Sequence, residues 1–359
     1  MGFRYTMHYL KKLYIFFIIL ALTIFFFSTT KVESKSFEIK NIEISEPFAN
    51  NFDKKTVFDK GFKEAFSELI YILTKSSDFK KVENIKLKEI KSMINSFSIQ
   101  EEKFIDQTYY VNLGVSFNKK RIFDYLEKKN IFPSQINKKK FLFIPILIDE
   151  KIADLTIFSN NQIYDNWNIY LQKYHLIEYI LPTEDLEDLT LIKKNYDDIE
   201  KYDFKEILKK YYLDNGIIAL IFKNESKLRI LSKIITKNKV VIKNDTFNDL
   251  DFQDPQKIEY LINDLKRTYE DTWKEYNQIN TSIKLPLVIR VDYQDFKKIT
   301  NFEKILNELD LVNYFSIQKF SKKDIFYEII FNGTPNDFIN LMKTKNYLFN
   351  TEKKIWILK

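Results

Sequence analysis

The sequence predicts an α+β protein made of several small α/β modules in series, with a ferredoxin-like module (βαββαβ) at the C-terminal end. Helical and strand periodicities alternate along the chain, which is typical of such modules. The 359 residues are enough for two or three domains. Because the chain has no cysteine, no disulfide framework supports the fold, and we expect apolar cores to hold it together.

These patterns divide the chain into four segments. A signal peptide or N-terminal membrane anchor comes first, followed by an N-terminal α+β domain, a central α/β domain and the C-terminal ferredoxin-like domain. The four segments occupy residues 1–36, 37–137, 138–280 and 281–359, in that order.

The first segment has the pattern of a leader for export. Arg4, Lys11 and Lys12 precede the apolar run Leu13–Phe27 without any acid. This run is short for a membrane-spanning helix, which needs about 20 apolar residues. Cleavage among the small residues near Ser34 and retention as an inner-membrane anchor over residues 13–30 both stay open. Either outcome places everything after residue 36 outside the cytoplasm, so we expect a periplasmic protein, soluble or anchored.

The N-terminal domain alternates strands and helices. Its opening strand (37–44) breaks alternation around Asn41, and an amphipathic helix is predicted over 54–75 with a lesser one over 86–95. Strict alternation over 109–117 predicts a half-buried strand, paired with 97–105. Asn118 is positioned to cap the next helix, whose apolar residues are Ile122, Phe123 and Leu126.

The central domain opens with an almost wholly apolar strand at 141–148. We predict helices over 162–174, 186–195, 204–212 and 255–276, the last capped by Asp254 with Pro255 at its first position. Strands are predicted over 178–181 and 217–222, with a hairpin of 228–236 and 239–243.

The C-terminal domain has the clearest order. Strands are predicted over 285–293, 314–320, 325–331 and 355–358, with helices around Phe302–Leu309 and after Thr334-Pro335. This is the βαββαβ order of the split βαβ motif.

The net charge of +7 does not indicate a nucleic-acid partner. The leader carries five basic residues and one acid, which leaves +3 for the rest of the chain. Arginine, which is preferred for phosphates and base edges, occurs there only as Arg121, Arg229, Arg267 and Arg290. An RNA-recognition motif shares the βαββαβ order, but the third strand lacks the glycine of its signature and carries Glu328 in the middle. We therefore expect no nucleic-acid partner.

The residues that catalysis needs are scarce. The chain has five glycines, and those after the leader are too far apart to form a phosphate-cradling loop. His175 is the only histidine outside the leader, so it cannot assemble an imidazole metal site by itself. No G-x-S-x-G elbow accompanies it. We interpret His175 as an ordinary loop or surface residue and expect no catalytic residue, cofactor or metal.

Two acidic clusters remain as candidate sites. The first follows Leu181-Pro182 and comprises Glu184, Asp185, Glu187 and Asp188. The second comprises Asp245, Asn248, Asp249, Asp251 and Asp254. It lacks the glycine and the terminal glutamate of a calcium loop. We interpret both as solvated helix starts, where acids favour the helix dipole. The first cluster is also a candidate contact for a partner protein.

Several short segments together resemble one family, the proteobacterial envelope proteins grouped as domain of unknown function 2066. The segments that resemble it are Gly61–Phe66 with Leu69–Thr74, Ser96–Gln100 with Val115–Phe117, Leu181-Pro182 with Asp185–Leu189, Trp273, Phe331–Pro335 and Trp356. Lys139-Lys140 stand where the family has Arg-Pro before the buried strand. The resemblance implies an exported protein and brings no reaction, ligand or catalytic residue.

The sequence therefore predicts a non-enzymatic exported protein that acts through interactions or in envelope assembly. We expect its partners to be other envelope proteins, and the inner membrane if the leader is retained. Acidic residues at 184–188 and the exposed edge strands of the C-terminal domain are the candidate contacts. The alternative is a periplasmic protein that binds a lipid or another apolar ligand, since 16% of the residues are aromatic and could line a pocket. An enzyme is the third possibility.

Overall fold

The structure is a computed structural model that describes residues 36–170, 175–225, 227–248 and 251–359. The predicted leader lies outside the described residues. Among the helices that the structure describes, none is long and apolar enough to span a membrane. Helices pack on three separate β-sheets, which confirms the α+β class.

The N-terminal part is a three-stranded antiparallel sheet, in the order β1-β3-β2, with helices on one face. Its elements are β1 (Ser36–Pro47), α1 (Lys54–Leu73), α2 (Phe79–Val82), α3 (Leu87–Met93), β2 (Ile94–Ile105), β3 (Thr108–Asn118) and α4 (Lys119–Lys128). The predicted strand pair is confirmed, with Phe97 opposite Val115. The break in alternation is a β-bulge between Ile39 and Ile42, where Asn41 has φ 61°.

The central part is a mixed sheet in the order β5-β4-β7-β8-β9, with β6 also paired to β4. Its elements are β4 (Lys139–Asp149), β5 (Asp154–Thr156), α5 (Gln162–Asn166), β6 (Ile177–Ile180), α6 (Leu186–Lys194), α7 (Lys205–Lys210), β7 (Gly216–Asn224), β8 (Lys227–Thr236), β9 (Lys239–Phe247) and α8 (Pro255–Tyr276). Strand β4 is parallel to β6 and β7, and apolar cores cover both faces of the sheet. The prediction of an α/β layer with a doubly buried first strand is confirmed.

Two predicted elements of the central part are wrong in extent. The helix predicted over 162–174 ends at Asn166. Beyond it, the ammonium of Lys266 donates hydrogen bonds to the carbonyl oxygens of Trp167 and Tyr170, both at 2.7 Å. Positions 171–174 of the predicted helix lie outside the described residues. Strand β9 is longer than predicted, so Asp245 lies in a strand and not in a loop.

The C-terminal part is a five-stranded sheet in the order β11-β12-β10-β14-β13. Its elements are β10 (Leu285–Asp292), α9 (Phe296–Glu308), β11 (Val312–Phe320), β12 (Asp324–Phe331), α10 (Pro335–Thr344), β13 (Phe349–Asn350) and β14 (Ile355–Leu358). The predicted elements are present, and Thr334 forms a capping box with Asp337. Strand β13 was not predicted, and the final strand, β14, pairs parallel to β10. A ferredoxin-like sheet is antiparallel throughout, so the ferredoxin-like classification stays a prediction.

Residues 36–359 form one compact unit. Helix α8 joins the central and N-terminal parts, because Asp271 accepts hydrogen bonds from the main-chain N–H of Ser76 at 2.8 Å and from its hydroxyl. The buried ammonium of Lys119 donates to the main-chain oxygen of Asp310 at 2.7 Å, which joins the C-terminal part to α4.

Replacing Asp271 by Ala should lower the free energy of unfolding by about 1 to 3 kcal/mol, because two hydrogen bonds between α8 and the segment after α1 are lost. Urea unfolding measures this. Glu259→Ala, at an exposed position of the same helix, is the control and should change stability by less than about 0.5 kcal/mol. Equal effects of the two substitutions would contradict the role of Asp271.

Candidate partner-binding surface

The first acidic cluster is organised by one lysine. Asp185 caps helix α6, and its carboxylate accepts a hydrogen bond from the main-chain N–H of Glu187 at 2.7 Å. Lys210, at the end of α7, donates to Asp185 and, at 3.0 Å, to Asp188. The hydrogen bonds from Lys210 and from the N–H of Glu187 lower the pKa of Asp185, so this carboxylate stays ionised as a cap.

The four acidic residues differ in what they expose. Asp188 is buried and also accepts a hydrogen bond from the hydroxyl of Tyr211 at 2.9 Å, so it does not reach a partner directly. Glu184 and Glu187 are exposed. Between them Leu186 is 79% exposed, although it is apolar. The surface that a partner could meet is therefore Glu184, Leu186 and Glu187, and the sequence analysis had not singled out Leu186 as a contact.

The edge strands of the C-terminal sheet are β11 and β13. β13 has two residues, whereas β11 has nine and, within residues 36–359 as described, pairs with β12 alone. The second half of β11 and the following turn carry exposed apolar and basic side chains: Ile317, Lys319, Phe320, Lys322 and Lys323. Strand β11 thus presents a free main-chain edge to a partner strand.

His175 is less exposed than the sequence analysis suggested. It lies in an irregular segment just before β6, with its side chain 15% exposed, and its Nδ1 is 3.1 Å from Oε1 of Glu270 on α8. The carboxylate of Glu270 is buried and accepts hydrogen bonds from the main-chain N–H groups of Leu176 and Ile177 at 3.2 and 2.8 Å. Glu270 therefore fixes the start of β6.

Lys266 lies one helical turn before Glu270 and is also buried. Its ammonium binds the carbonyl oxygens after α5 and lies 5.1 Å from the ring centre of Trp167. Burial lowers the pKa of Lys266 to about 8. Lys266 therefore binds the main chain just after α5, and Glu270 binds the main chain at the start of β6.

The second acidic cluster does not form one site. Asp245 lies on β9, and Asp254 caps α8 by accepting a hydrogen bond from the N–H of Gln256 at 2.9 Å. Asp249 lies outside the described residues. Within the described part of the chain, no group of three or more His, Cys, Asp or Glu side chains is placed to hold a metal ion.

Many of the aromatic residues that suggested a ligand pocket fill the cores. The largest fully buried side chains include Trp167, Tyr109, Tyr269, Tyr327 and Phe117. Phe143 stacks on Trp167 with ring centres 3.7 Å apart. Aromatic content alone therefore gives little support for ligand binding.

The depressed pKa of Lys266 makes stability depend on pH. Between pH 8 and the ordinary lysine pKa of 10.5, the unfolded chain binds a proton that the folded protein lacks, so stability rises with pH. Between pH 7 and pH 9.5, the free energy of unfolding of the wild type should rise by about 1 to 2 kcal/mol more than that of the Lys266→Met variant. Urea unfolding at several pH values measures this. Lys55→Met, at an exposed lysine, should follow the wild type, and parallel curves for wild type and Lys266→Met would disprove the assignment.

Comparison with known proteins assigns this chain to no family. No protein-family model matches the sequence, and no curated protein matches it. The resemblance to the domain of unknown function 2066 family stays a prediction.

Proposed function

We propose that this chain is an exported envelope protein that binds another protein and catalyses no reaction. The observation that carries the proposal is the edge position of β11, which has nine residues and pairs on one side only among the strands that the structure describes. An added strand gains main-chain hydrogen bonds along such an edge, and side-chain contacts supply specificity. The leader pattern supports export.

The side chains of β11 indicate the chemistry of the partner strand. Ile317 and Phe320 are 39% and 61% exposed, and an apolar partner residue would cover them. Lys319, Lys322 and Lys323 are exposed beside them. Lysines on an edge discourage indiscriminate strand pairing. A strand that alternates acidic and apolar residues would complement this surface.

The start of α6 provides a second contact of opposite charge. Glu184 and Glu187 are exposed around the apolar side chain of Leu186. Lys210 holds the cap residue Asp185, and this fixes the position of the surface before a partner arrives. A basic partner segment with one apolar residue would fit here.

Photo-crosslinking in intact cells tests the β11 edge. A photoreactive phenylalanine analogue at position 320 should give an adduct of defined mass, because a paired strand would cover Phe320. Phe296, which is 74% exposed on helix α9 of the same C-terminal part, is the matched control. The analogue at this position should give no adduct.

The charge of the edge supplies a second criterion. Lys319→Glu in the photoreactive protein should reduce the adduct, since it would repel an acidic strand. The proposal would be contradicted if position 320 gave no adduct, or if positions 320 and 296 gave the same adducts.

A further inference from the structure

One face of helix α1 is only partly covered. The helix has 20 residues, whereas α2 and α3, which pack beside it, have four and seven. At a rise of about 1.5 Å per residue, α1 is roughly 30 Å long and α3 roughly 10 Å. The short helices therefore cannot close over α1, and a groove of about 540 Å³ lies between them.

The floor of this groove is apolar. Phe66 and Ile70 of α1 form one side, and Val82 and Ile90 form the other. Tyr71 and Phe79 also line the groove, and their rings contact each other with centres 4.2 Å apart. The volume lies in the range of small-molecule sites. Phe66, Ile70, Val82 and Ile90 are themselves largely buried, so an alkyl chain would lie mainly against Tyr71, which is 48% exposed, and against the partly exposed ring of Phe79.

The rim of the groove is basic. Lys63 and Lys80 line it, and Glu83 is the one acidic residue among the lining side chains. Neither lysine forms an ion pair within the described residues. Other lysines of the N-terminal part do, as Lys81 pairs with Asp78 at 2.6 Å and Lys91 with Asp59 at 2.5 Å. The groove thus joins an apolar floor to unpaired positive charge.

We propose that the groove binds a long-chain carboxylate, such as a fatty acid. The alkyl chain would lie on the floor between α1 and α3, and the carboxylate would contact Lys63 and Lys80. Charge complementarity selects an anionic head over a neutral one. This site lies in the N-terminal part and does not depend on partner binding at β11.

Titration of purified protein with dodecanoate and with dodecanol, followed by native mass spectrometry and displacement of a fluorescent fatty acid, tests the site. Dodecanoate should bind one molecule per chain. The double variant Lys63→Ala/Lys80→Ala should bind dodecanoate roughly tenfold more weakly, since each exposed ion pair contributes only modestly to the binding free energy. Dodecanol should bind the wild type and this double variant equally.

Two further variants separate the groove from general effects. Lys55→Ala with Lys88→Ala removes two exposed lysines outside the groove and should leave dodecanoate binding unchanged. Ser67→Trp, at an exposed lining position, should abolish binding by filling the groove. The proposal is overturned if the wild type does not bind dodecanoate, if Ser67→Trp still binds it, or if both double variants bind it equally well.

Discussion

Helix α8 carries three buried ionisable side chains at four-residue intervals, Lys266, Glu270 and Lys274, and each binds the main chain of another segment. Lys266 binds carbonyl oxygens after α5, Glu270 binds N–H groups at the start of β6, and Lys274 binds the carbonyl oxygen of Tyr71 on α1 at 2.5 Å. Burying a charge is costly unless hydrogen bonds satisfy it. These contacts therefore favour one arrangement of α8, the central sheet and α1 over others.

This arrangement explains where free surface remains. Helix α8 covers one face of the central sheet, and Lys119 binds the main-chain oxygen of Asp310 between α9 and β11. Strand β11 lies at the outer edge of its sheet, and helix α1 keeps an open face beside its short neighbours. The candidate contacts thus lie at the periphery of the unit. In its interior, the buried side chains of Lys119, Lys266, Glu270 and Lys274 bind main-chain groups.

Local patterns could be predicted from the sequence because their causes are local. The alternation over 109–117 and the helix starts at Asn118, Asp254 and Thr334 each need only neighbouring residues, and all are present. The helix predicted over 162–174 ends at Asn166, and the carbonyl oxygens of Trp167 and Tyr170 bind Lys266, about a hundred residues further along the chain. No local pattern could reveal that contact.

The candidate site shows the same division. The acidic residues at the start of α6 were visible in the sequence, but the hydrogen bonds that Asp188 accepts come from Lys210 and Tyr211, at the end of the separate helix α7. The groove beside α1 depends on the lengths of three helices and on which lysines find partners. The edge position of β11 follows from sheet order, and the short strand β13 at the opposite edge carries little periodicity.

Export is the claim on which the proposed function depends most directly. We expect protease added to spheroplasts to digest residues 37–359 without lysis, while a cytoplasmic marker stays intact. N-terminal sequencing should then find a start at Lys35 or Phe37, or an intact Met1 in the membrane fraction. A chain that resists protease until the cells are lysed, and that fractionates with the cytoplasm, would contradict export and the envelope partner proposed with it.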